Sequence, residues 1–588
     1  MRKQFITNQK EFEKDHTLRS FFAKLRFYRH YFRLLSFSLN RFEKITLIVL
    51  GWVFLISVMG LGLKFYLNHS HIIPKTGGSY TEGIIGKPKY LNPLLCQTND
   101  ADRDLCALIF SGLVKYNQER QIEGDLAKSW KVDEHKKVYT FTLKDNLSWQ
   151  DGVPLTAEDI VFTVNLIQHP DYPGTLKTSW NNVRVKAISN RVVRFYLKDS
   201  YAEFLSNVTL GILPKHIWEE IPPQNLLTAK PSLNPVGSGP YAFQELQSKE
   251  DVSLTTVRLK RFEQYRGNQT YLDKVTLKFY PDQDKLKMAL SKKEIDSTFD
   301  LKGADVHQLA QKSGFTEYHF TTPQYLAVFL NQEKSDLLED SRVRKALNFA
   351  IDRKKIIQEV FSGEANLIHS PILSHFPGFR SAFAQDIYNP RKARKLLAQA
   401  GWKINPKTHY LEKAGRKLSF NLVTSDQEEF VLIAEGLRRS WEKIGIQLNL
   451  HIYTLGAFQQ EQIRPRDYQA LLFGENLGPD SDLYPFWHST QVNDPGLNLA
   501  LFRNTQLDRL LESARQTSRL KQKVQDYRKL FQIFENEVPA IFLVNPTKNY
   551  LISNKIKGVK TGMVVFPADR FYWIGDFYVR GQREWGKG

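Results

Sequence analysis

Residues 45–63 (ITLIVLGWVFLISVMGLGL) form a run of 19 without a charge. At roughly 1.5 Å per residue the run spans about 28 Å, close to the hydrocarbon thickness of a bilayer. It predicts one transmembrane helix, taken as residues 45–67 with its flank. A core helix is rarely apolar all round. The 44 residues before the run, and its length, argue against a cleaved signal peptide. Upstream, Phe21, Leu25, Tyr28, Phe32, Leu35, Leu39 and Phe42 recur at three- and four-residue spacing, one face of a helix. Two readings of that face stand open: an interfacial helix on anionic lipid, or a plain lead into the membrane segment. Residues 68–78 are polar, with Pro74 and the pair Gly77 and Gly78, and predict a tether. His69 and His71 lie in it and read as solvated rather than metal-binding.

Beyond the tether, strand and helix signals interleave. Residues 138–143 (VYTFTL) alternate polar and apolar positions, and 192–197 and 446–453 also read as strands. Asp151 and Gly152 make a turn, after which Thr156 caps a helix whose first turn carries Glu158 and Asp159. Helices are predicted after Asp340 over 342–361, from Asn389–Pro390 to Gly401, over 428–443, over 506–514 and over 521–535. This mixture predicts an α/β body in several lobes.

Charge refines the picture at one end. Residues 1–44 hold 11 Lys+Arg against 4 Asp+Glu. A basic flank before the span places the N-terminus in the cytoplasm and everything past the span outside. The remaining excess, within 82 basic and 62 acidic residues overall, is thinly spread and does not argue for nucleic acid. With 2 Cys the chain is no disulfide scaffold and no Cys-rich metal protein. Cys96 and Cys106 lie on the outer side, where a local disulfide is the expectation and two buried thiols the alternative.

No P-loop, HExxH, GxSxG, CxxC or EF-hand pattern occurs. Residues 237–242 (GSGPYA) fit GxGxxA superficially, but Pro240 falls where a helix would begin to offer amide donors. No cofactor is expected.

Several segments together carry a family likeness: 91–94 (LNPL), 108–114 (LIFSGLV), 124–130 (GDLAKSW), 139–144 (YTFTLK), 149–162 (WQDGVPLTAEDIVF), 237–241 (GSGPY), 342–353 (RVRKALNFAIDR) and 393–402 (ARKLLAQAGW). In this order the chain resembles the extracellular solute-binding proteins of family 5, the oligopeptide- and dipeptide-binding components of ABC importers. The resemblance implies an α/β clamshell of the periplasmic-binding-protein type, type II, with two lobes joined by two crossing strands and an extra domain on one lobe. Lobe I is expected over 79–124, 236–325 and 546–588, the extra domain over 125–235, and lobe II over 326–545.

It also implies function. A peptide ligand would lie extended between the lobes, held through its backbone, and pass to permease subunits in the membrane without bond chemistry. The protein is expected to act as a monomer. The ligand's ammonium would meet an acid in residues 473–487 (FGENLGPDSDLYPFW): Asp480 first, Asp482 second, with Glu475 and Asn476 standing in the lead where the family usually has Trp. Thr98, Asn99 and Asp100 would form the opposite wall. Trp149, Trp402 and Trp487 are candidates for the cleft lining, although large aromatics more often belong to the core. Alternative ligands for the same fold are an oligosaccharide, an opine-like compound or a chelated metal, and a non-transport sensor is the alternative role.

Overall fold

In the computed structural model, residues 40–588 are described apart from 118–119, 199–203, 250–253, 302, 312–313, 375, 377, 380–385, 479–481, 518 and 586–588. The proposed amphipathic face over 21–39 therefore lies outside the described residues.

The apolar run forms the helix Arg41–Asn68, with every side chain exposed. Asn40 caps it in a reciprocal box with Glu43, satisfying free N–H groups of the first turn. The tether holds more order than its composition predicts. Ser70–Lys75 is a strand, paired with Arg580–Trp585 near the other end of the chain.

Residues Lys75–Arg580 form a separate body. Among the described residues its main sheet has 12 strands. The strand Ala540–Ser553 runs through both halves of that sheet. Its first residues pair antiparallel with Gln324–Leu330, and its last with Phe315–Thr321. Two strand segments, 321–324 and 545–547, thus cross from one lobe to the other.

The second lobe shows why its strands read as almost continuous apolar runs. Gln324–Leu330 (QYLAVFL) is covered on both faces: Leu326, Val328 and Leu330 enter one core, and Tyr325, Ala327 and Phe329 the other. Helices Ser341–Phe349, Pro390–Gln399 and Glu428–Glu442 bury Leu347, Leu397 and Trp441 on the first face. Thr505–Gln516 and Leu520–Glu537 bury Leu511 and Phe534 on the second. Asn389 caps its helix through the Lys392 amide with Pro390 in the first turn, as the sequence predicts.

In the first lobe, Ser79–Ile85 pairs in parallel with Lys274–Tyr280, which continues into Leu254–Arg261 and Tyr241–Lys249. A four-stranded sheet built from Ala127–Val132, Val138–Leu143, Val192–Leu197 and Val183–Ser189 supports the helix Ala157–Gln168, capped by the Thr156–Asp159 box. Its Phe141 and Phe195 share one continuous core with Tyr80 of the larger sheet and Trp573 of the 3₁₀ segment Pro567–Asp576. Gly237 and Gly239 serve this packing rather than a nucleotide. A Cβ on either would meet the Ile109 backbone, at 2.0 Å from its carbonyl oxygen and 2.6 Å from its carbonyl carbon. Only glycine lets the chain approach the helix Asp100–Ile109 so closely.

Candidate ligand cleft

The two crossings set the floor between the lobes. Asn545 clasps them together: its Nδ2 donates to the carbonyls of Thr322 at 2.8 Å and Gln324 at 2.6 Å. Thr322 Oγ1 donates back to Pro546 O at 2.8 Å. Strand alternation then sends neighbours of Ala540–Ser553 to opposite faces. Tyr550 enters the first lobe's core. Lys548, two residues earlier and on the same face, is exposed. Its charge acts on Asp300 of the first lobe and on Glu429 in the first turn of a second-lobe helix. Burial raises Asp300, and the Ile85 amide, Arg570 and Lys548 oppose that rise.

The second lobe's wall leaves from the same point. Asn476 pairs with Gln324, and the next amide, Leu477, donates to Pro323 O at 2.8 Å. The predicted acidic loop therefore starts directly at a crossing. Asp480 lies outside the described residues. Asp482 accepts from the Tyr484 amide at 3.0 Å and meets Arg515 Nε at 3.2 Å, so its charge is paired within the lobe. Asn476 Oδ1 accepts from Gly478 N at 2.9 Å, shaping the turn. Glu475 points into the core. Tyr325 Oη donates to its Oε2, and Trp487 Nε1 donates to Tyr325 Oη at 3.1 Å. Burial holds the Glu475 carboxyl well above the usual carboxylate range, against the Tyr325 hydrogen bond and the Arg466 charge.

On the first lobe, Asn99 caps the helix Asp100–Ile109 through the Ala101 amide at 3.0 Å and donates to Lys87 O at 3.0 Å. Asp100 pairs with Arg103 at 3.0 Å, and Thr98 is exposed. Arg103 also donates to Gln97 O and lies 4.0 Å over the Phe566 ring. A cavity of about 380 Å³ opens behind this wall, lined among others by Gln97, Arg103, Tyr116, Arg120 and Asp569. All its lining residues precede 269, or fall at 270 and 565–576, so none belongs to the second lobe.

One expectation is corrected. Cys96 and Cys106 are free and buried, not bridged. Cys96 opens a single 3₁₀ turn and its thiol donates to Pro93 O at 3.6 Å, while Cys106 sits inside the following helix. Burial raises the Cys106 thiol, and the adjacent Cys96 raises it further. Trp149, Trp402 and Trp487 are all core residues, each in a different lobe or face. Lys548, Gln97 and Arg103 carried no signal in sequence: the fold alone places Lys548 near Asp300 and Glu429, and Gln97 and Arg103 on the first-lobe cavity.

Residues 121–494 match the family described as bacterial extracellular solute-binding proteins, family 5 Middle. The chain belongs to that family. Among relatives of this solute-binding protein, oligopeptide-binding protein AppA of Bacillus subtilis is 30% identical over 511 residues, covering 83% of this chain and 90% of AppA. The dipeptide-binding protein of Escherichia coli is 23% identical over 508 residues, covering 80% and 90%. The solved structure of B. subtilis AppA in complex with a nonapeptide superposes with a TM-score of 0.60 at 28% identity, covering 86% of this chain and all of that one. HbpA2 of Haemophilus parasuis, 22% identical, covers 86% and 100% with a TM-score of 0.72 and supports the fold. The fold is the two-lobed α/β clamshell of periplasmic binding proteins. The solute-binding domain is extracytoplasmic, and the protein binds its substrate without chemistry on it.

Proposed function

We propose that this protein captures peptides between its lobes on the outer face of the cell membrane and delivers them to an ABC permease. The observation that carries the reading is the 30% identity to an oligopeptide-binding protein across 83% of the chain. The fold around the crossings supports it: a floor at Lys548, a loop leaving Leu477, and a wall at Thr98, Asn99 and Asp100 frame a groove for an extended ligand. Asp480 fixes the ligand's ammonium, with Asp482 as the second choice, and Lys548 is the cation available to a carboxylate. Lobe I comprises 79–124, 236–325 and 546–588, the extra domain 125–235 and lobe II 326–545. Residues 45–67 anchor the protein, with 1–44 in the cytoplasm, and hold the receptor near its transporter, raising effective concentration. It acts as a monomer.

Mass spectrometry of what co-purifies with the full chain in detergent tests the ligand class, and peptides are expected. Calorimetry with such a peptide follows. A charge-assisted hydrogen bond contributes about 1.5–3 kcal/mol, so Asp480→Asn weakens binding roughly ten- to a hundredfold. N-acetylation of the peptide weakens binding to the parent and matters less to the variant. A co-purified sugar, opine-like compound or metal chelate, or indifference to both changes, overturns the peptide reading. Labelling from outside the cell reaches residues past 78 and misses those before 44. A mature protein starting after residue 63 overturns the anchor.

A further inference from the structure

The hinge has a second face, turned away from Lys548. Thr547 and Asn549 flank that lysine in sequence, so their side chains leave the strand on the opposite side. There they meet a cluster that the peptide reading does not use. Thr547 Oγ1 donates to Glu364 Oε2 at 3.4 Å, and Asn549 Oδ1 lies 3.1 Å from His319 Nδ1. Glu364 follows the second-lobe helix Arg353–Phe361, one residue before the strand Ala365–Leu367. Its other neighbours come from the first lobe. His307, on the helix Gly303–Ala310, places Nε2 at 3.0 Å from Glu364 Oε1 and Nδ1 at 3.0 Å from Glu317 Oε2. His319 Nδ1 is 3.0 Å from Glu364 Oε2. One donor atom from each of His307, Glu317 and Glu364 lies within 4.8 Å of the others.

We propose that His307, Glu317 and Glu364 bind a divalent transition-metal ion of the zinc type, which ties the second lobe to the first across the hinge. The donor set suits such an ion: one imidazole nitrogen and two carboxylates, with a fourth position left for water. Bonds of about 2.0–2.2 Å draw ligand atoms to within roughly 3.5 Å of one another, so small side-chain rotations assemble the site. Two observations support it. The imidazole of His307 stands between two carboxylates, which together with a neutral ring leave two negative charges for a dication to balance. Glu317 Oε1 is buried with no hydrogen-bond partner among the described residues. His319, beside the second oxygen of Glu364, orients that carboxylate from outside the ligand set. A positive charge on His307 would offset the same two carboxylates. Burial opposes that charge on His307, but Glu317, the Ser362 carbonyl and Glu364 outweigh it and raise the ring's pKa.

The test titrates Zn²⁺ into the metal-stripped full chain in detergent at pH 7.5, against a competing chromogenic chelator, with Co²⁺ as a spectroscopic probe. The proposal expects saturable uptake of one ion at this site and a visible ligand-field band for Co²⁺. His307→Ala and the near-isosteric Glu364→Gln each weaken Zn²⁺ binding about tenfold or more and remove the band, while exposed His135→Ala changes neither. Circular dichroism confirms that each variant is folded, and Glu364→Gln keeps the readout if His307→Ala does not fold. Zn²⁺ affinity and Co²⁺ spectrum unchanged in a folded Glu364→Gln variant, or no saturable uptake by the parent, overturns the metal site and leaves His307 as a protonated bridge. The outcome is independent of whether peptides bind in the cleft.

Discussion

Arg570 closes a bidentate ion pair on Asp104 across 466 residues of chain, with Nη1 to Oδ1 at 2.9 Å and Nη2 to Oδ2 at 2.6 Å. The same guanidinium gives Nε to Glu82 at 3.1 Å, and Glu82 also accepts from Tyr550 at 2.6 Å and Ser297 at 2.7 Å. All three charged side chains are fully or almost fully buried. The segment Pro567–Asp576 is thereby fixed against the helix Asp100–Ile109, which follows the wall proposed at Thr98, Asn99 and Asp100.

Removing one partner of such a network leaves buried charges unpaired. Arg570→Met is expected to cost about 3–5 kcal/mol in chemical denaturation of the full chain in detergent. A loss under about 1 kcal/mol, the range of an exposed pair, would contradict the network's role.

Asn545 holds both crossings through one amide group. Asn545→Ala strands the buried Thr322 carbonyl and the part-buried Gln324 carbonyl and is expected to cost about 1–3 kcal/mol. Amide exchange around residues 321–324 should accelerate ahead of exchange in the lobe cores. Equal acceleration everywhere would mean that the amide supports the whole fold rather than the hinge.

Glu475 supplies a pH dependence of definite sign. Its folded pKa lies above the unfolded value of about 4.3, so the folded state holds the proton more tightly. Its stabilising contribution is complete below that value and is lost as pH rises through the folded pKa. Glu475→Gln stays neutral throughout. The variant is therefore expected to gain stability relative to the parent as pH rises, measured by denaturation midpoints across pH 4–9, a window of about five pH units around these values. A parallel pair of curves would show that Glu475 does not change its proton on folding.

The two thiols are expected to resist a thiol reagent in the folded protein and to react together once it is unfolded without reductant. Burial of both groups, and the raised Cys106, give the reason. Intact mass before and after reduction should be identical, and a shift of two hydrogens would restore the disulfide.

Local interactions explain what was legible in the sequence. The helix Arg41–Asn68 follows from an apolar run and a cap four residues long. Pro390–Gln399 starts on Asn389 and Pro390, and the alternation in Val138–Leu143 and Val192–Leu197 is readable because side-chain direction repeats every two residues. The ordered family-like segments carried the two-lobed fold with them. Other features needed the tertiary structure, since their partners are distant in sequence. Ser70–Lys75 reads as a tether until Arg580–Trp585 supplies its ladder. Glu475 looks like one more loop acid until strand pairing sets it beside Tyr325. Cys96 and Cys106 are close in sequence, and only the structure shows two free, buried thiols in place of a bridge. Lys548 and Asn549 are adjacent, and only the strand's register sets Asn549 opposite His319 and turns Lys548 to the other face.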